Sequence, residues 1–387
     1  MFKIQTMNKI SPAGLNALEK FGCEVSENVK YPSGLLLRSA DMHGMQFPET
    51  LLAIARAGAG YNNIPIDRCT EEGIVVFNAP GANAQAVKEQ EIASLVLASR
   101  DILGSIDWVK SIAGEGENIP ALVEKKKAEF AGPELLGKTL GVIGLGAVGA
   151  LVANAGVDLN MKVLGYDPFL SVDAAWRLSR KVLHTENLDE LLESSDYISI
   201  NVPFTENTHH LLDAEALRKV KHGVRIINES RAEVVNDADM TEALREGRVA
   251  RYVTDFPNEE ILKAPNVIAM PHLGACTPES EDRCAEMAAN EMMDYLINGN
   301  IRNSVNLPDI YLNRAGSCRL CVIHRNVPRM ITRILDFISD QNINVEHMIN
   351  KNRGKYAVTM VDLGSAVYEE AVNGIREMDE VVRVRII

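Results

Sequence analysis

Short apolar runs alternate with helical patterns along most of the chain, and this alternation predicts the fold class. Short, nearly continuous apolar runs are typical of strands that are buried on both faces of a parallel sheet. Helical patterns lie between them, and one of these runs from Ala86 to Arg100. We therefore predict an α/β protein with a doubly wound parallel sheet. The predicted strands are 35–38, 52–56, 73–77, 139–143, 161–166, 197–202, 225–228, 251–254 and 267–270.

The last third of the chain has a different pattern. A long helical pattern from Glu279 to Ile297 has no strand directly after it. We expect this helix to return the chain to its first part, which would make the first domain discontinuous. A new unit begins near Arg314, and its strands and helices fit the order βαββαβ of a small split-βαβ domain. Its predicted strands include 319–323, 356–361 and 381–387, and its predicted helices are 328–339 and 368–378.

Three glycines mark the boundary between a predicted strand and a predicted helix. Gly144, Gly146 and Gly149 have the spacing Gly-x-Gly-x-x-Gly. The first glycine permits a tight turn, the second lets a pyrophosphate approach the backbone, and the third lets the helix pack closely on the strand. The helix N-terminus at Ala147 and Val148 offers unpaired N–H groups to the phosphates. This context favours a Rossmann-type dinucleotide-binding domain over an ordinary glycine-rich turn.

An acidic residue indicates which dinucleotide is bound. Asp167 follows the strand that comes after the glycine-rich turn. A carboxylate at this position can accept hydrogen bonds from the ribose hydroxyls of the adenosine half, and it would repel a 2′-phosphate. The next residues are Pro168, Phe169 and Leu170, so no basic side chain stands directly beside Asp167. The predicted cofactor is therefore NAD rather than NADP.

The composition limits the partners of the chain. Its 387 residues are long enough for two to three domains, and their net charge is −13. This charge argues against a nucleic acid or an anionic membrane as a partner, and an anionic substrate would need a locally basic pocket. The sequence shows neither a signal peptide nor a long apolar span, and its six cysteines are scattered. We expect a cytoplasmic protein without a metal, in which Cys318 and Cys321 are core thiols rather than zinc ligands.

Three residues that follow predicted strands could perform acid–base chemistry on a carboxylate substrate. Arg231, Glu259 and His272 each come shortly after a strand of the predicted nucleotide domain, where ligands bind in such sheets. Arginine can hold a substrate carboxylate with two hydrogen bonds. Histidine can take the proton of a hydroxyl group as hydride leaves, and a carboxylate beside it stabilises its charged form. Taken singly, each residue could equally have a structural role.

The chain resembles the D-isomer-specific 2-hydroxyacid dehydrogenases over nearly its whole length. In that family the Arg, Glu and His of the matching motifs are catalytic, which implies these roles for Arg231, Glu259 and His272. The segment 255–259 is one residue shorter than the commoner pattern, and Ala232 stands where the family has Gly. The segments that carry the resemblance are 56–63, 78–83, the glycine motif, 201–205, 228–231 and 271–274.

The resemblance also implies contacts with the cofactor. The family's Asp that contacts the nicotinamide amide matches Asp255, provided that the one-residue gap falls directly after it. The other cofactor contacts that the resemblance implies, besides Gly144, Gly146, Ala147, Val148, Gly149 and Asp167, are Pro203, Glu229, Ser230, His272, Gly274 and Ala275.

Within the family, the similarity is greatest to the branch that acts on D-3-phosphoglycerate. It implies NAD-dependent oxidation of 3-phosphoglycerate to 3-phosphohydroxypyruvate, the first step of L-serine biosynthesis. The residues that match the family's substrate contacts are Arg38, Ser39, Arg56, Asn83 and Arg231. The alternative to a substrate role for Arg38 and Arg56 is that each forms a surface ion pair, which would contribute little to stability.

The C-terminal unit resembles an ACT domain, a ligand-sensing module. The residues matching a serine site at a domain–domain interface are His324, Asn326 and Asn344, which implies allosteric feedback inhibition by L-serine. Arg329 stands where the family usually has Gly, and its long cationic side chain could block serine or alter the ligand. The alternative is a module that only dimerises.

These observations give a predicted domain organisation. Residues 1–95 and 276–305 form a discontinuous flavodoxin-like substrate domain, 96–275 the NAD-binding domain, 306–314 a linker, and 315–387 the ACT-like regulatory domain. We expect a homodimer or homotetramer. A glyoxylate or hydroxypyruvate reductase of the same family is one alternative, against which the ACT-like unit argues. A non-catalytic NAD-sensing scaffold is another, against which the intact Arg, Glu and His argue.

Overall fold

The computed structural model describes residues 1–387, apart from the side chain of residue 173. The chain forms two compact units, one made of residues 1–83 and 278–387 and the other of residues 84–277. The predicted limit at 95 falls inside a helix of the second unit, and the residues predicted as a separate C-terminal domain group with the first unit.

The first 83 residues form a parallel five-stranded sheet with short helices. Its elements are β1 (Lys3–Met7), α1 (Pro12–Lys20), β2 (Glu24–Ser26), β3 (Gly34–Leu37), β4 (Ala53–Arg56), α2 (Ile66–Glu71) and β5 (Val75–Phe77). The strand order is β2-β1-β3-β4-β5. This is the order of flavodoxin-like sheets, so the predicted class of the first domain is confirmed. The buried strands β3, β4 and β5 match predicted apolar runs, because every residue of β3 and β5 and most of β4 is removed from solvent.

The second unit is a doubly wound sheet of seven parallel strands. Its strands are β6 (Thr139–Ile143), β7 (Lys162–Tyr166), β8 (Val182–His184), β9 (Tyr197–Ile200), β10 (Val224–Asn228), β11 (Val249–Thr254) and β12 (Val267–Ala269). Their order is β12-β11-β10-β9-β6-β7-β8. Counted from β6, this contains the order 3-2-1-4-5-6 of a dinucleotide-binding sheet, with one further strand. The strand order reverses between β6 and β9, so this is where a ligand is expected at the carboxyl ends of the strands.

Nine helices of the second unit connect and cover this sheet in the described part of the chain. They are α3 (Ala84–Ser99), α4 (Ile102–Ser111), α5 (Ile119–Lys126), α6 (Ala147–Asp158), α7 (Val172–Ala175), α8 (Leu188–Ser194), α9 (Ala214–Lys219), α10 (Asp237–Arg245) and α11 (Glu259–Lys263). The polar segment 114–127, which the sequence indicates as a surface excursion, forms a short 3₁₀ turn and α5, and α5 buries none of its residues.

The rest of the first unit is a long helix followed by an antiparallel sheet. Its elements are α12 (Pro278–Asn298), β13 (Cys318–Arg325), α13 (Met330–Ser339), β14 (Val345–Arg353), β15 (Tyr356–Leu363), α14 (Glu369–Arg376) and β16 (Val381–Ile386). The sheet order is β14-β15-β13-β16, so the predicted βαββαβ arrangement is confirmed. Helix α12 packs against α1, where a Cβ built on Gly14 would lie 2.8 Å from the Cβ of Ala285. Helix α12 and the residues after it group with residues 1–83 in one compact unit.

The antiparallel sheet has two different faces. One face packs against α13 and α14 around Ile334, Val372 and Ile375. On the other, residues including Ile323 and Met360 join a core cluster with Phe77 and Tyr295 of the first unit. We refer to residues 315–387 as the C-terminal module. Its second face therefore belongs to the core of the first unit, which explains why the module does not separate from it.

Candidate active site

The glycine-rich turn has the geometry that the sequence predicts. Gly144 has φ +86°, and a Cβ built on it would lie 2.6 Å from the carbonyl oxygen of Asn201. A Cβ on Gly149 would lie 1.8 Å from the carbonyl oxygen of Gly144, so the start of α6 is in close contact with the end of β6. A Cβ on Gly146 would meet no atom of the described residues within 4 Å. The turn is therefore closed towards the protein and open at Gly146, where a pyrophosphate needs close access to the backbone.

Asp167 lies at the end of β7 and is held by the turn. Its carboxylate accepts hydrogen bonds from the N–H groups of Leu145 and Phe169, both at 2.9 Å. Two backbone donors fix the carboxylate at the mouth of the turn and leave lone pairs for further donors, as a ribose diol would provide. Gly146, where α6 begins without a side-chain cap, and the fixed Asp167 together fit an adenine dinucleotide.

Arg231 and His272 lie in the loops that follow β10 and β12. Arg231 is exposed, donates from Nη1 to the carbonyl oxygen of Ser230 at 2.6 Å, and is anchored through its own carbonyl by Asn228 Nδ2 at 2.9 Å. His272 is exposed, has φ +48°, and its ring lies 4.8 Å from the ring of Phe256. A left-handed conformation is uncommon for a non-glycine residue, and such conformations occur most often at functional sites.

Glu259 is not brought to His272. It is the first residue of α11, is highly exposed, and forms an ion pair with Lys263 at 2.5 Å. Among the described residues, no hydrogen bond or ion pair joins Glu259 to the imidazole. The pairing implied by the family resemblance therefore stays a prediction.

Asp255 is the carboxyl group whose surroundings include both Arg231 and His272. It is 1% exposed, and neither carboxylate oxygen has a hydrogen-bond partner among the described residues. Burial raises the pKa of Asp255, while the charges of His272 and Arg231 oppose that rise. The His272 N–H donates to the Asp255 carbonyl oxygen at 3.1 Å, which ties the two loops together. Two buried oxygens without partners fit a ligand amide group, which is the contact predicted for this residue.

The other predicted cofactor residues lie along the same edge of the sheet. Pro203 is exposed in the loop after β9, and Ser230 donates from Oγ to Asn228 Oδ1 at 2.8 Å. Gly274 is buried, and a Cβ built on it would lie 3.8 Å from Asp255 Oδ2, while Ala275 is half-buried. Glu229 differs from them, because its side chain points into the protein and accepts a hydrogen bond from Ser94 Oγ at 2.5 Å.

Sequence reasoning missed two polar residues of α3, one buried and one half-buried. Glu91 is 1% exposed and accepts a hydrogen bond from Ser199 Oγ, and Gln90 has a buried amide nitrogen without a partner among the described residues. Their only sequence signal is the polar run Lys88–Glu91 within a helical pattern that is otherwise apolar.

The predicted substrate arginines are neighbours in the first unit. Arg56 ends β4 and lies beside Leu37, the last residue of β3, so Arg38 follows directly at the same edge of the sheet. The Arg56 guanidinium donates to Asn63 Oδ1 at 3.1 Å and lies over Gly58, where a Cβ would be 2.5 Å from it. Arg38 forms an ion pair of 2.8 Å with Glu281. Ser39 is exposed and Asn83 half-buried.

A third arginine belongs to this basic group. Arg283 of α12 donates from Nε to the carbonyl oxygen of Ala82 at 3.0 Å. Burial raises the pKa of the Cys284 thiol, while Arg283, Arg38 and Arg56 oppose that rise, which places all three cations around this residue. A chain of net charge −13 thus carries a local group of three arginines in its first unit, as the binding of an anionic substrate would require.

The residues predicted to sense serine lie at opposite ends of the C-terminal sheet. His324 is buried, with Nε2 2.9 Å from Thr359 Oγ1, and pairs across the sheet with Ala357. Asn326 follows at this end. Asn344 precedes β14, whose first residue pairs with Leu363. Residues 357 and 363 of β15 are about 20 Å apart at a rise of about 3.4 Å per residue. Within one chain, Asn344 therefore does not join the other two.

Two further properties of the described residues bear on the predictions. They contain no group of three or more His, Cys, Asp or Glu side chains that could hold a metal ion. Of the helices described, none is both long enough and apolar enough to cross a membrane.

Sequence comparison relates the second unit to a known domain family. Residues 92–274 match the family described as D-isomer specific 2-hydroxyacid dehydrogenase, NAD binding domain. The chain is 36% identical over 330 residues to D-3-phosphoglycerate dehydrogenase of Archaeoglobus fulgidus, covering 80% of this chain and 60% of that protein. It is 31% identical over 328 residues to the protein of the same name from Bacillus subtilis, covering 80% and 59%. The chain thus spans about 60% of the length of these relatives.

Structural comparison gives the same fold. An NAD⁺-bound 3-phosphoglycerate dehydrogenase of Entamoeba histolytica superposes with a TM-score of 0.60 at 26% identity, covering 79% of this chain and 98% of that one. A glyoxylate reductase of Paecilomyes thermophila superposes with a TM-score of 0.64 at 22% identity, covering 79% and 98%, and this second likeness concerns the fold alone.

Proposed function

The chain belongs to the D-isomer specific 2-hydroxyacid dehydrogenase family, and from that premise we propose that it catalyses the NAD-dependent oxidation of D-3-phosphoglycerate to 3-phosphohydroxypyruvate. This reaction is the first step of L-serine biosynthesis, and the proposal includes a cytoplasmic location. The observation that carries it is the position of Arg38 and Arg56 at the ends of adjacent strands, joined by Arg283. A group of three arginines suits a phosphate dianion better than a simple 2-hydroxy acid.

The proposed chemistry uses the residues of the second unit. Bound NAD⁺ supplies the acceptor for the hydride that leaves C2 of the substrate. His272 takes the proton of the C2 hydroxyl group, and Arg231 holds the carboxylate. The products are the 2-oxo acid, NADH and one proton. Glu259 is the proposed partner of His272, and Asp255 is the buried carboxyl group whose surroundings include the same His272.

The phosphate role of Arg56 can be tested by comparing substrates. Replacing Arg56 with Ala should raise the KM for phosphohydroxypyruvate by about 10- to 100-fold, the range for losing a hydrogen bond to a charged group. The KM for unphosphorylated hydroxypyruvate should change much less. Arg56→Lys keeps the charge but not the bidentate geometry, so its KM for phosphohydroxypyruvate should lie between those of the wild type and Arg56→Ala. Equal changes for both substrates would count against phosphate binding.

Regulation by serine is a further part of the proposal. Asn344 lies far from His324 and Asn326 along one sheet, so a serine site that uses all three would need a second copy of the chain. A homodimer or homotetramer is proposed for this reason. The exposed apolar residues Leu103, Ile106 and Val109 of α4 also support self-association. Millimolar serine should lower the activity and raise the melting temperature, and no change in either would refute the regulatory role.

A further inference from the structure

Three carboxyl groups are buried together in the second unit. Glu91 comes from α3, Glu229 follows β10, and Asp255 follows β11, and their exposed fractions are 1%, 7% and 1%. Acidic side chains are almost never buried this deeply unless they are paired with a cation. Here two of the three, Glu91 and Glu229, have hydrogen bonds only from neutral groups. We call Glu91, Glu229 and Asp255 the acid cluster.

The hydrogen bonds within the acid cluster leave several of its carboxylate oxygens without a donor. Ser199 Oγ donates to Glu91 and in turn accepts from Asn201 Nδ2 at 2.7 Å, while Ser94 Oγ donates to Glu229 at 2.5 Å. Glu91 Oε1, Glu229 Oε2 and both oxygens of Asp255 are buried without a partner among the described residues. Buried polar atoms are nearly always bonded, so these oxygens mark the side of the cluster at which a further hydrogen-bond donor fits.

The charges around the acid cluster determine when it ionises. Burial and then the neighbouring Glu229 raise the pKa of Glu91 well above its usual range, with a further contribution from Asp255. Burial, with Asp255 adding to it, raises the pKa of Glu229 to about 7, although the hydrogen bond from Ser94 opposes the rise. The basic groups facing the cluster are Arg231 and His272, on the Asp255 side. The phenol of Tyr252 is also buried near Asp255, and its pKa is raised to about 12, so it stays neutral.

The cluster lies where the nicotinamide end of the cofactor is expected. Asp255, at the carboxyl end of β11, is the residue predicted to contact the nicotinamide amide, and its partnerless oxygens fit that contact. The oxidised nicotinamide ring carries a positive charge, and the reduced ring is neutral. A negative charge inside a region of low polarity therefore acts differently on the two forms of the cofactor.

We propose that Glu229, supported by Glu91, makes this site discriminate between the two redox states of NAD, favouring the oxidised form when the acid cluster is ionised. The inference rests on the proposed NAD-dependent reaction and adds to it a residue that sets cofactor preference. The affinity for NAD⁺ should rise with pH between 6 and 8.5, because Glu229 loses its proton in this interval. The affinity for NADH should not rise with it.

The test is a binding measurement without substrate. Dissociation constants of NAD⁺ and NADH are measured by calorimetry for the full chain at pH 6 and 8.5. In the wild type, the dissociation constant of NAD⁺ divided by that of NADH should fall by roughly tenfold as the pH rises. A tenfold change corresponds to a difference of one pKa unit for the acid cluster between its complexes with the two nucleotides. In Glu229→Gln this fall should disappear. Glu242→Gln removes the same charge from the exposed face of α10 and should behave like the wild type.

The possible failures are distinguishable. If Glu229→Gln is poorly folded by circular dichroism, Glu91→Gln gives the second test and should reduce the fall in the same direction. An unchanged ratio and pH dependence in both variants, with normal binding of both nucleotides, would overturn this inference and leave the proposed function intact. A wild type that binds neither nucleotide would overturn both.

Discussion

Asp167 shows how a single carboxylate can select a cofactor. Its two oxygens are held by the N–H groups of Leu145 and Phe169, so it cannot turn away from a 2′-phosphate without losing these bonds. The predicted repulsion of NADP would therefore depend on the backbone of the turn rather than on a mobile side chain.

Replacing Asp167 with Ala should reduce the preference for NAD. The variant loses charge-assisted hydrogen bonds to the ribose, which are worth about 1.5–3 kcal/mol, so NAD affinity should fall roughly 10- to 100-fold. NADP affinity should change little or rise. Fluorescence titration with NADH and NADPH measures both. A wild type that binds the two equally well would contradict this account.

Glu291, in the middle of α12, links stability to pH. Burial raises its pKa to about 7, with a contribution from Asp309, while Asn303 donates to it at 2.5 Å. The unfolded chain releases this proton near the ordinary value of 4.5, so between about pH 4.5 and 7 the folded state binds more protons and stability falls as pH rises.

Glu291→Gln should remove this loss. The variant keeps an acceptor for Asn303, and at pH 8 it should be more stable than the wild type by up to about 3 kcal/mol, the free energy of a shift of this size. At pH 4.5 the two proteins should be nearly equal. Urea unfolding at both pH values measures the difference, and a variant that is less stable than the wild type at pH 8 would show that the buried charge is satisfied after all.

The candidate site could be predicted residue by residue only in part. Gly144, Asp167 and the group at Arg231 and His272 were visible because local motifs fix their place at strand ends. Glu91 was not, since one polar residue in a helix gives no sign of what packs against it. The partner of His272 could not be predicted either, because Glu259 begins α11 and pairs with Lys263 one turn further along that helix.

At the scale of elements, the glycine-rich turn is the most constrained part of the second unit. Gly149 allows α6 to touch the end of β6, whereas Gly146 faces open space and has no contact to lose. The two glycines therefore have separable roles, one in folding and one in access of the cofactor.

A pair of substitutions separates these roles. Gly149→Ala places a Cβ 1.8 Å from the Gly144 carbonyl oxygen, so it should destabilise the unit by about 1–3 kcal/mol or more and weaken NAD binding with it. Gly146→Ala should leave the melting temperature close to that of the wild type but weaken NAD binding. Thermal unfolding and NADH titration check both, and a stable Gly149→Ala protein with normal binding would disprove the close-contact explanation.

Whether a strand could be predicted depended on its burial. The strands β3, β5 and β9 are buried throughout, and each appears in the sequence as an apolar run. The short strands β2 and β8 are largely exposed and give no apolar run to detect, so they were not foreseen. The predicted helix at 328–339 begins two residues later, at Met330, because Arg329 before it has φ +70°.

At the scale of the molecule, the C-terminal module is part of the first unit's core. Arg383 of β16 donates to the carbonyl oxygens of Glu49, Leu51 and Glu72, at 3.2, 2.8 and 2.8 Å. A Cβ on Gly73 would lie 2.8 Å from the Cβ of Arg383. The module therefore contacts the loops that precede β4 and β5. This docking could not be predicted, because the βαββαβ pattern specifies a domain and not what covers its second face.

Arg383→Ala should destabilise the first unit. It removes three hydrogen bonds to exposed or partly buried carbonyl oxygens, each of which contributes about 0.5–1.5 kcal/mol to stability. The melting temperature should fall by several degrees, while NAD binding, which uses the other unit, should persist at lower temperature. Arg376→Ala, at an exposed position of α14, is the control and should have little effect. Equal melting temperatures for both variants would show that the docking contributes nothing to stability.

The most direct test of the proposed function is the oxidation of NADH by the purified wild type with phosphohydroxypyruvate, hydroxypyruvate and glyoxylate side by side. The arginines at 38, 56 and 283 predict that kcat/KM is at least about tenfold higher for phosphohydroxypyruvate, because only this substrate offers them a phosphate. Equal or higher values for the unphosphorylated acids would assign the chain to general 2-hydroxy acid reduction. No turnover with any of them would contradict the assignment of an enzymatic function.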